Sequence, residues 1–151
     1  EHTALELRWH LGRLDIDPAL NGPDPARIVV AYADRAHTLV EMAELAKPYY
    51  QDLHGYDAAA LAKLDADAPG ILAALGMALA APEVWDEEGT LDHTVKQVAE
   101  TLGFKLGKVG PLLRLALLGQ TVSPSLGVTL SLFGQDKTLA RLRALHGFLT
   151  A

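Results

Sequence analysis

The stretch 105–145 constrains the fold most, because its apolar residues recur at helical spacing between clear turn signals. A first predicted helix ends at Gly119, and Ser123-Pro124 predicts the cap and first turn of a second helix. Gly134 ends this second helix, and Asp136 can cap a third. The apolar positions of the third helix are Leu139, Leu142 and Leu145. Its cations, which we expect to project from the other faces, are Lys137, Arg141 and Arg143. The stretch therefore predicts three short helices joined by tight turns.

Helix signals also recur upstream, whereas strand signals do not. Asp24 followed by Pro25 predicts the start of the longest helix, which runs to Lys47 and ends before Pro48. Alternating runs of Val, Ile and Thr, which half-buried strands require, are missing apart from a few residues near Val128. The predicted fold class is therefore all-α, a cage of short helices.

A loop around Gly55 suggests a soft border inside the chain. Tyrosines at positions 49, 50 and 56 flank this glycine, and helix signals lie on both sides of it. We therefore expect an N-terminal helical subdomain at residues 1–53 and a C-terminal helical subdomain at residues 54–151, acting as one functional unit.

Composition excludes several classes of protein. Half of the 151 residues are apolar, which is enough for one core or two small abutting cores. There are no cysteines, so disulfides and thiolate metal sites are excluded. The longest apolar run, at 71–81, falls short of the roughly 20 residues that a membrane-spanning helix needs. The N-terminus lacks a signal-peptide pattern, so we expect a cytoplasmic protein with no membrane role.

No constellation of residues predicts catalysis or metal binding. The segment 103–109 has one residue too few for a phosphate-binding loop and places Val109 where Ser or Thr would bind magnesium. The six histidines include no pair at the i, i+4 separation that puts two imidazoles on one helical face. Ser123 lacks the context of an activated nucleophile. We expect no catalytic residue, no metal site and no cofactor in this chain.

Charge is distributed unevenly along the sequence. The net charge is -6, which by itself argues against a nucleic-acid partner. From residue 102 onwards, however, six Lys or Arg residues stand against Asp136 alone, while residues 1–101 hold seven cations and eighteen acids. An asymmetry of this size suggests an electropositive face on an acidic body, which is compatible with docking a polyanion.

Several spaced segments carry a family resemblance. They are KLGK at 105–108, LRLAL at 113–117, VSP at 122–124, LFGQDKTLARL at 132–142, RAHTL at 35–39 and LRWHL at 7–11. Together they resemble the C-terminal, anticodon-binding region of bacterial glutamyl-tRNA synthetases, and the likeness covers nearly the whole chain. The resemblance implies a part of a glutamate-tRNA ligase whose partner is tRNA(Glu) and whose parent enzyme is a monomer.

The resemblance also implies where catalysis lies. Neither signature by which class I synthetases hold ATP, of the His-x-Gly-His or the Lys-Met-Ser-Lys-Ser kind, occurs in the sequence. The expected cofactors, ATP and magnesium, would therefore belong to a catalytic domain that the sequence does not contain.

The resemblance assigns roles to particular residues. By position, Arg35 matches an arginine that reads the third anticodon base, and Arg114 matches one near the first base. Ser123, Pro124 and Leu126 match the loop whose main chain and leucine contact that first base. Unstacked anticodon bases can be read in this way, since an arginine presents a bidentate fork to a base edge. The residues expected to contact the tRNA backbone are Lys105, Lys108 and Arg141.

Each assignment has an alternative in ordinary structure. Arg35 falls on or beside the apolar stripe of the predicted long helix, where an internal ion pair with a carboxylate would offset its desolvation. Leu126 could be a core residue and Ser123 a helix cap. For the whole chain, the alternative is a helical protein-interaction module whose basic face serves an acidic partner without any nucleic-acid role.

Overall fold

The computed structural model describes residues 2–18, 22–121 and 123–151. Within these ranges the chain forms nine α-helices and one short 3-10 helix, and no strand. The predicted all-α fold class is therefore confirmed. The chain divides into two compact units, Glu1–Leu53 and His54–Ala151. Val122, which belongs to one of the resembling segments, lies outside the described residues.

The first unit contains three helices. They are α1 (His2–Arg13), α2 (Pro25–Tyr32) and α3 (Leu39–Tyr50). Helix α1 packs on both others, and the core contains Leu7, Leu11 and Ile28. The hydroxyl oxygens of Tyr32 and Tyr49 lie 2.7 Å apart in this core, so each of these two buried groups has a hydrogen-bond partner. Burial raises the pKa of Tyr32, and the hydrogen bond to Tyr49 lowers it in part.

The predicted long helix is wrong, because two helices occupy its span. Helix α2 ends at Tyr32, whose carbonyl accepts hydrogen bonds from the amides of Arg35 and Ala36. Thr38 then has an extended backbone, and its hydroxyl accepts from the amide of Glu41 at 3.0 Å to cap α3. A threonine cap thus interrupts an apolar stripe that looked continuous. The predicted end at Lys47 is also wrong, because Pro48 lies inside the last turns of α3.

The second unit contains the remaining helices. They are α4 (Ala58–Ala62), α5 (Ala68–Leu79), the 3-10 helix (Pro82–Trp85), α6 (Glu88–Leu102), α7 (Leu106–Leu118), α8 (Leu126–Phe133) and α9 (Gln135–Thr150). Helix α5 packs along α9, and α6 packs along α8. Helix α7 contacts α5, α6 and α9, so the residues 115–118 are all buried. The second unit is therefore built around a central apolar helix.

The ends of α8 and α9 differ from the predicted caps. Ser125 caps α8 by accepting from the amide of Val128 at 3.4 Å, so the predicted cap at Ser123 is wrong. Helix α9 begins at Gln135, and Asp136 lies in its first turn instead of capping it. Gly134 alone joins the two helices with a φ of 80°, a conformation that glycine adopts without steric cost. The predicted end of α8 at Gly134 is confirmed.

One face of α9 carries both apolar residues and an unexpected cation. Leu142 and Leu145 are buried as predicted, whereas Leu139 is half-buried. Arg141 is only 8% exposed, so the prediction that it projects to solvent is wrong. Its guanidinium donates to the carbonyl of Leu117 and lies over the ring of Phe133, with 5.0 Å between the guanidinium carbon and the ring centroid. A carbonyl that needs a donor at the end of α7 explains its burial.

Candidate nucleic-acid interface

Arg114 organises the loop between α7 and α8. Its Nε donates to the hydroxyl of Ser123 at 2.7 Å, and its Nη2 donates to the carbonyl of Pro124 at 3.3 Å. The loop begins at Gly119. Its φ of 74° and the hydrogen bond from its amide to the carbonyl of Leu115 end α7. The structure thus brings together Arg114, Ser123 and Pro124, which the sequence prediction had grouped as a site. It also shows the guanidinium oriented toward the loop.

The hydroxyl groups of the loop form a buried polar cluster. Ser123 is 9% exposed, and its Oγ lies 2.8 Å from the carbonyl oxygen of Pro124. The hydroxyl of Thr129, fully buried on α8, lies 3.2 Å from Ser123 Oγ and 3.0 Å from the carbonyl oxygen of Ser125. Sequence reasoning missed Thr129. The signal available for it was a hydroxyl residue inside the apolar run of α8.

Leu126 belongs to the core of the second unit. Its side chain is 6% exposed and lies beside α7, where a Cβ on Gly110 would approach its Cδ1 to 3.7 Å. The alternative given for Leu126 in the sequence analysis is therefore the observed arrangement. Pro124 is also buried, while Thr121 and Ser125 are exposed. Among the described loop residues, the exposed side chains are therefore those of Thr121 and Ser125.

Helix α8 is fastened to α6 directly after the loop. The carboxylate of Asp92 accepts a hydrogen bond from the amide of Gly127 at 2.8 Å. A Cβ at position 127 would lie 2.5 Å from Asp92 Oδ2 and 2.6 Å from the carbonyl oxygen of Glu88. No real side chain fits at that distance, so Gly127 sets how closely α8 and α6 approach. This requirement was invisible in the sequence because it depends on two helices that are distant in the chain.

Arg35 lies in the turn between α2 and α3 and is exposed. The expectation that it sits on the apolar stripe of one helix is therefore wrong, and so is the desolvation cost that followed from it. Its positive charge acts on Tyr32, lowering in part a pKa that burial raises. A turn followed by a threonine cap at residue 38 sets the backbone conformation here.

The three predicted phosphate contacts have different surroundings. Lys105 is exposed at the start of α7. The ammonium of Lys108 lies 2.8 Å from the carboxylate of Asp67 and 2.9 Å from that of Asp65, above the ring of Phe104. The hydrogen bonds to Asp67 and Asp65 raise the pKa of Lys108, and the bond from Lys108 lowers the pKa of Asp65. Lys108 and the buried Arg141 thus have their charges engaged inside the second unit.

The described residues contain neither a cluster of metal-binding side chains nor a membrane-spanning helix. No group of three or more His, Asp or Glu side chains among them is arranged to hold a metal ion. Likewise, no helix in the described ranges combines the length and apolar character that crossing a bilayer requires.

Comparison with known proteins gives this fold a family. The model of the family described as Anticodon binding domain matches residues 4–146. A glutamate–tRNA ligase from Nitrosococcus oceani is 41% identical over 147 residues, which is 96% of this chain and 31% of the relative. A second glutamate–tRNA ligase, from Alkalilimnicola ehrlichii, is 40% identical over 95% of this chain and 30% of its own length. The chain thus spans about a third of the length of these curated relatives.

Solved structures show the same fold. A crystal structure of a glutamate tRNA ligase from Elizabethkingia meningosepticum superposes with a TM-score of 0.86, covering 98% of this chain and 29% of that one, at 18% identity. A glutamate-tRNA synthetase from Elizabethkingia anophelis gives a TM-score of 0.80 at 17% identity, covering 97% of this chain and 28% of that one. At these identities the likeness supports the fold alone. The family model, in contrast, covers most of the sequence, and the chain belongs to the anticodon binding domain family.

Proposed function

We propose that this chain recognises the anticodon of tRNA(Glu) as part of a glutamate–tRNA ligase. The observation that carries the proposal is the 41% identity to a glutamate–tRNA ligase along 96% of the chain. Because the chain spans only 31% of that relative, the joining of glutamate to tRNA belongs to residues outside it. ATP and magnesium act there, and this chain contributes no catalytic residue and no cofactor. The whole protein works in the cytoplasm as a monomer.

In this proposal the loop between α7 and α8, described at residues 119–121 and 123–125, presents its main chain to an anticodon base. Its shape is maintained from inside by the bonds from Arg114 to Ser123 and Pro124. A loop held by a satisfied polar cluster loses little conformational entropy when a ligand binds, which favours discrimination between bases. Arg114 therefore acts by positioning the loop, and the base edge meets backbone donors and acceptors.

Arg35 contributes to recognition in a different manner. The guanidinium is on an exposed turn, and its planar fork suits two hydrogen bonds to one base edge. Desolvation of this side chain happens only when RNA binds, so its contribution depends on the base that it meets. We assign to Arg35 the choice of the third anticodon base.

Contacts to the RNA backbone rest on fewer cations than the sequence suggested. Lys105 is exposed and suits a phosphate contact. Lys108 can serve only if a phosphate competes with Asp65 and Asp67, and Arg141 is engaged with the carbonyl of Leu117. Few phosphate contacts predict a shallow dependence of affinity on salt, since each contact releases roughly one counterion.

The experiment measures affinities of the chain for anticodon stem-loop RNAs of tRNA(Glu) and for RNAs changed at one anticodon base. We expect the unchanged RNA to bind most tightly, at all salt concentrations where binding is detected. Lys105→Ala should lower the affinity for every RNA alike. It should also make the slope of log affinity against log salt concentration shallower by about one, while Lys108→Ala should change affinity less. Equal affinity for all anticodons would contradict the proposal and favour the module that serves an acidic partner.

A further inference from the structure

Trp9 forms an exposed aromatic platform on α1. The residue is 61% exposed, although an indole usually accounts for a large share of buried apolar area. The guanidinium carbon of Arg13 lies 5.2 Å from the centroid of its ring, and the ring of His10 meets it edge-on at 4.9 Å. A cation and a polar ring thus surround an accessible indole.

This platform continues into a groove between α1 and α3. The groove has a volume of about 210 Å³ and is lined by His10, Arg13, Leu14, Val40, Ala43 and Glu44. Val40 is 59% exposed and lies in the first turn of α3, directly after the turn that carries Arg35. We call Trp9, His10, Arg13 and Val40 the Trp9 surface. It extends toward the segment to which base recognition is assigned above.

The charges around the Trp9 surface favour an anionic ligand. Arg13 is exposed beside the ring, whereas the acid of the groove, Glu44, is paired with Lys47 at 2.8 Å. The negative charge of Glu44 is therefore offset locally, although the first unit as a whole carries many acids. An apolar protein segment would gain from the indole and Val40, but it would leave the guanidinium of Arg13 without a matching group.

We propose that the Trp9 surface binds an unpaired nucleotide of RNA, with the base stacked on the indole and its phosphate on Arg13. Proteins that hold single-stranded RNA combine aromatic side chains, on which bases stack, with cations along the backbone. The inference rests on the proposed tRNA-binding function and adds a contact that does not read base identity, because every base has a π-face. The Trp9 surface would thus strengthen binding to all anticodon loops alike.

Two independent readouts test this proposal. Trp85, the other tryptophan, is half-buried and donates its indole N–H to the carbonyl of Leu79 at 2.8 Å, so Trp85→Phe leaves Trp9 as the sole emitter. We expect the anticodon stem-loop of tRNA(Glu) to quench the emission of this variant. Separately, Trp9→Ala in the otherwise unchanged chain should lower the affinity for that RNA about 5- to 150-fold. Anisotropy of labelled RNA gives the measurement.

Controls separate stacking from folding. Trp9→Phe should retain most of the affinity, and Leu5→Ala, which changes an exposed apolar residue of the same helix, should retain all of it. Melting temperatures of the position 9 variants should match the parent, because the ring is exposed. If labelled RNA binds the parent and Trp9→Ala equally well, or leaves Trp9 emission unchanged, the Trp9 proposal is overturned while the proposed function stands. If the parent binds no RNA, both are overturned.

Discussion

The turn at residues 33–38 and the last turns of α7 each carry an arginine that the family resemblance assigns to the anticodon, yet the surroundings of the two side chains differ. Arg35 is exposed on a turn whose shape comes from the end of α2 and the Thr38 cap. Arg114 is half-buried, with Nε and Nη2 bonded to Ser123 and Pro124. The same residue type is therefore exposed on a turn at one place and hydrogen-bonded to a neighbouring loop at the other.

A predicted binding residue can therefore act through the loop that it holds, without touching the ligand. We expect substitution of a guanidinium bonded to its own loop to lower stability and affinity together. Substitution of a guanidinium exposed at the surface should change mainly the affinity. Four substitutions test whether the two arginines differ in this way, and the one with the greatest expected cost comes first.

Leu142→Ala should have the largest effect, because it removes a side chain that is 2% exposed in the core of the second unit. We expect a loss of about 2 to 5 kcal/mol in the free energy of unfolding. Leu139→Ala, at a half-buried position of the same helix, is the matched control and should cost less. Denaturant midpoints of the two variants provide the measurement. Equal shifts would show that the core of the second unit does not favour one face of α9.

Gly127→Ala should act on the loop through helix packing. The added Cβ would meet Asp92 and the carbonyl of Glu88, so α8 must shift away from α6 at a cost of about 1 to 3 kcal/mol. Gly147→Ala is the control, since nothing lies within 4 Å of its Cβ and alanine favours a helix. The melting temperature and the affinity for the tRNA(Glu) stem-loop should both fall for Gly127→Ala. A variant with parental stability would mean that the contact between α6 and α8 is not tight.

Arg114→Gln tests whether the guanidinium maintains the loop. It removes the bonds to Ser123 Oγ and the carbonyl of Pro124, and we expect a loss of about 1 to 2 kcal/mol because the side chain is only half-buried. Affinity for every anticodon stem-loop should fall to a similar extent. Hydrogen exchange of the loop amides should become faster. If discrimination at a single base disappeared with stability unchanged, Arg114 would be reading that base directly.

Arg35→Gln should leave the fold almost intact. For an exposed side chain on a turn we expect a change in unfolding free energy within about 0.5 kcal/mol. Preference at the third anticodon base should fall by about 1 to 3 kcal/mol, by analogy with bidentate contacts to base edges. Arg27→Gln, on an exposed position of α2, serves as the control for charge. A sharp drop in melting temperature with the base preference retained would return Arg35 to a structural role.

Much of the fold could be predicted from local signals. Glycines mark the ends of α6, α7 and α8, the last two as predicted, because a left-handed or otherwise unusual backbone at positions 103, 119 and 134 suits glycine. Caps were harder to predict, since Ser123 and Ser125 both precede α8 and only the second caps it. The hydroxyl of Ser123 instead accepts a hydrogen bond from Arg114, a contact between residues nine positions apart.

The family resemblance groups the residues of the candidate site, whereas their contacts are seen only in the structure. Arg114, Ser123 and Pro124 come together as the family resemblance implied, but Leu126 is in the core. Arg141 looked like a free cation because helical periodicity places it off the apolar stripe, and Lys108 was expected to contact the tRNA backbone because of the family resemblance. Their partners are the carbonyl of Leu117 and two carboxylates at 65 and 67, which no sequence pattern connects to them.

Local signals are enough for the helical fold class and for the ends of α7 and α8, because propensity, apolar spacing and glycine conformation act within a few residues. Which polar groups are buried depends instead on how distant helices pack. Burial of Arg141 depends on α9 packing against the end of α7, and the close approach at Gly127 depends on α6. A buried polar atom needs a partner wherever the fold supplies one, and that partner is often far away in the chain. For this reason the exposed Arg35 and the half-buried Arg114, which local sequence signals do not distinguish, lie in different surroundings.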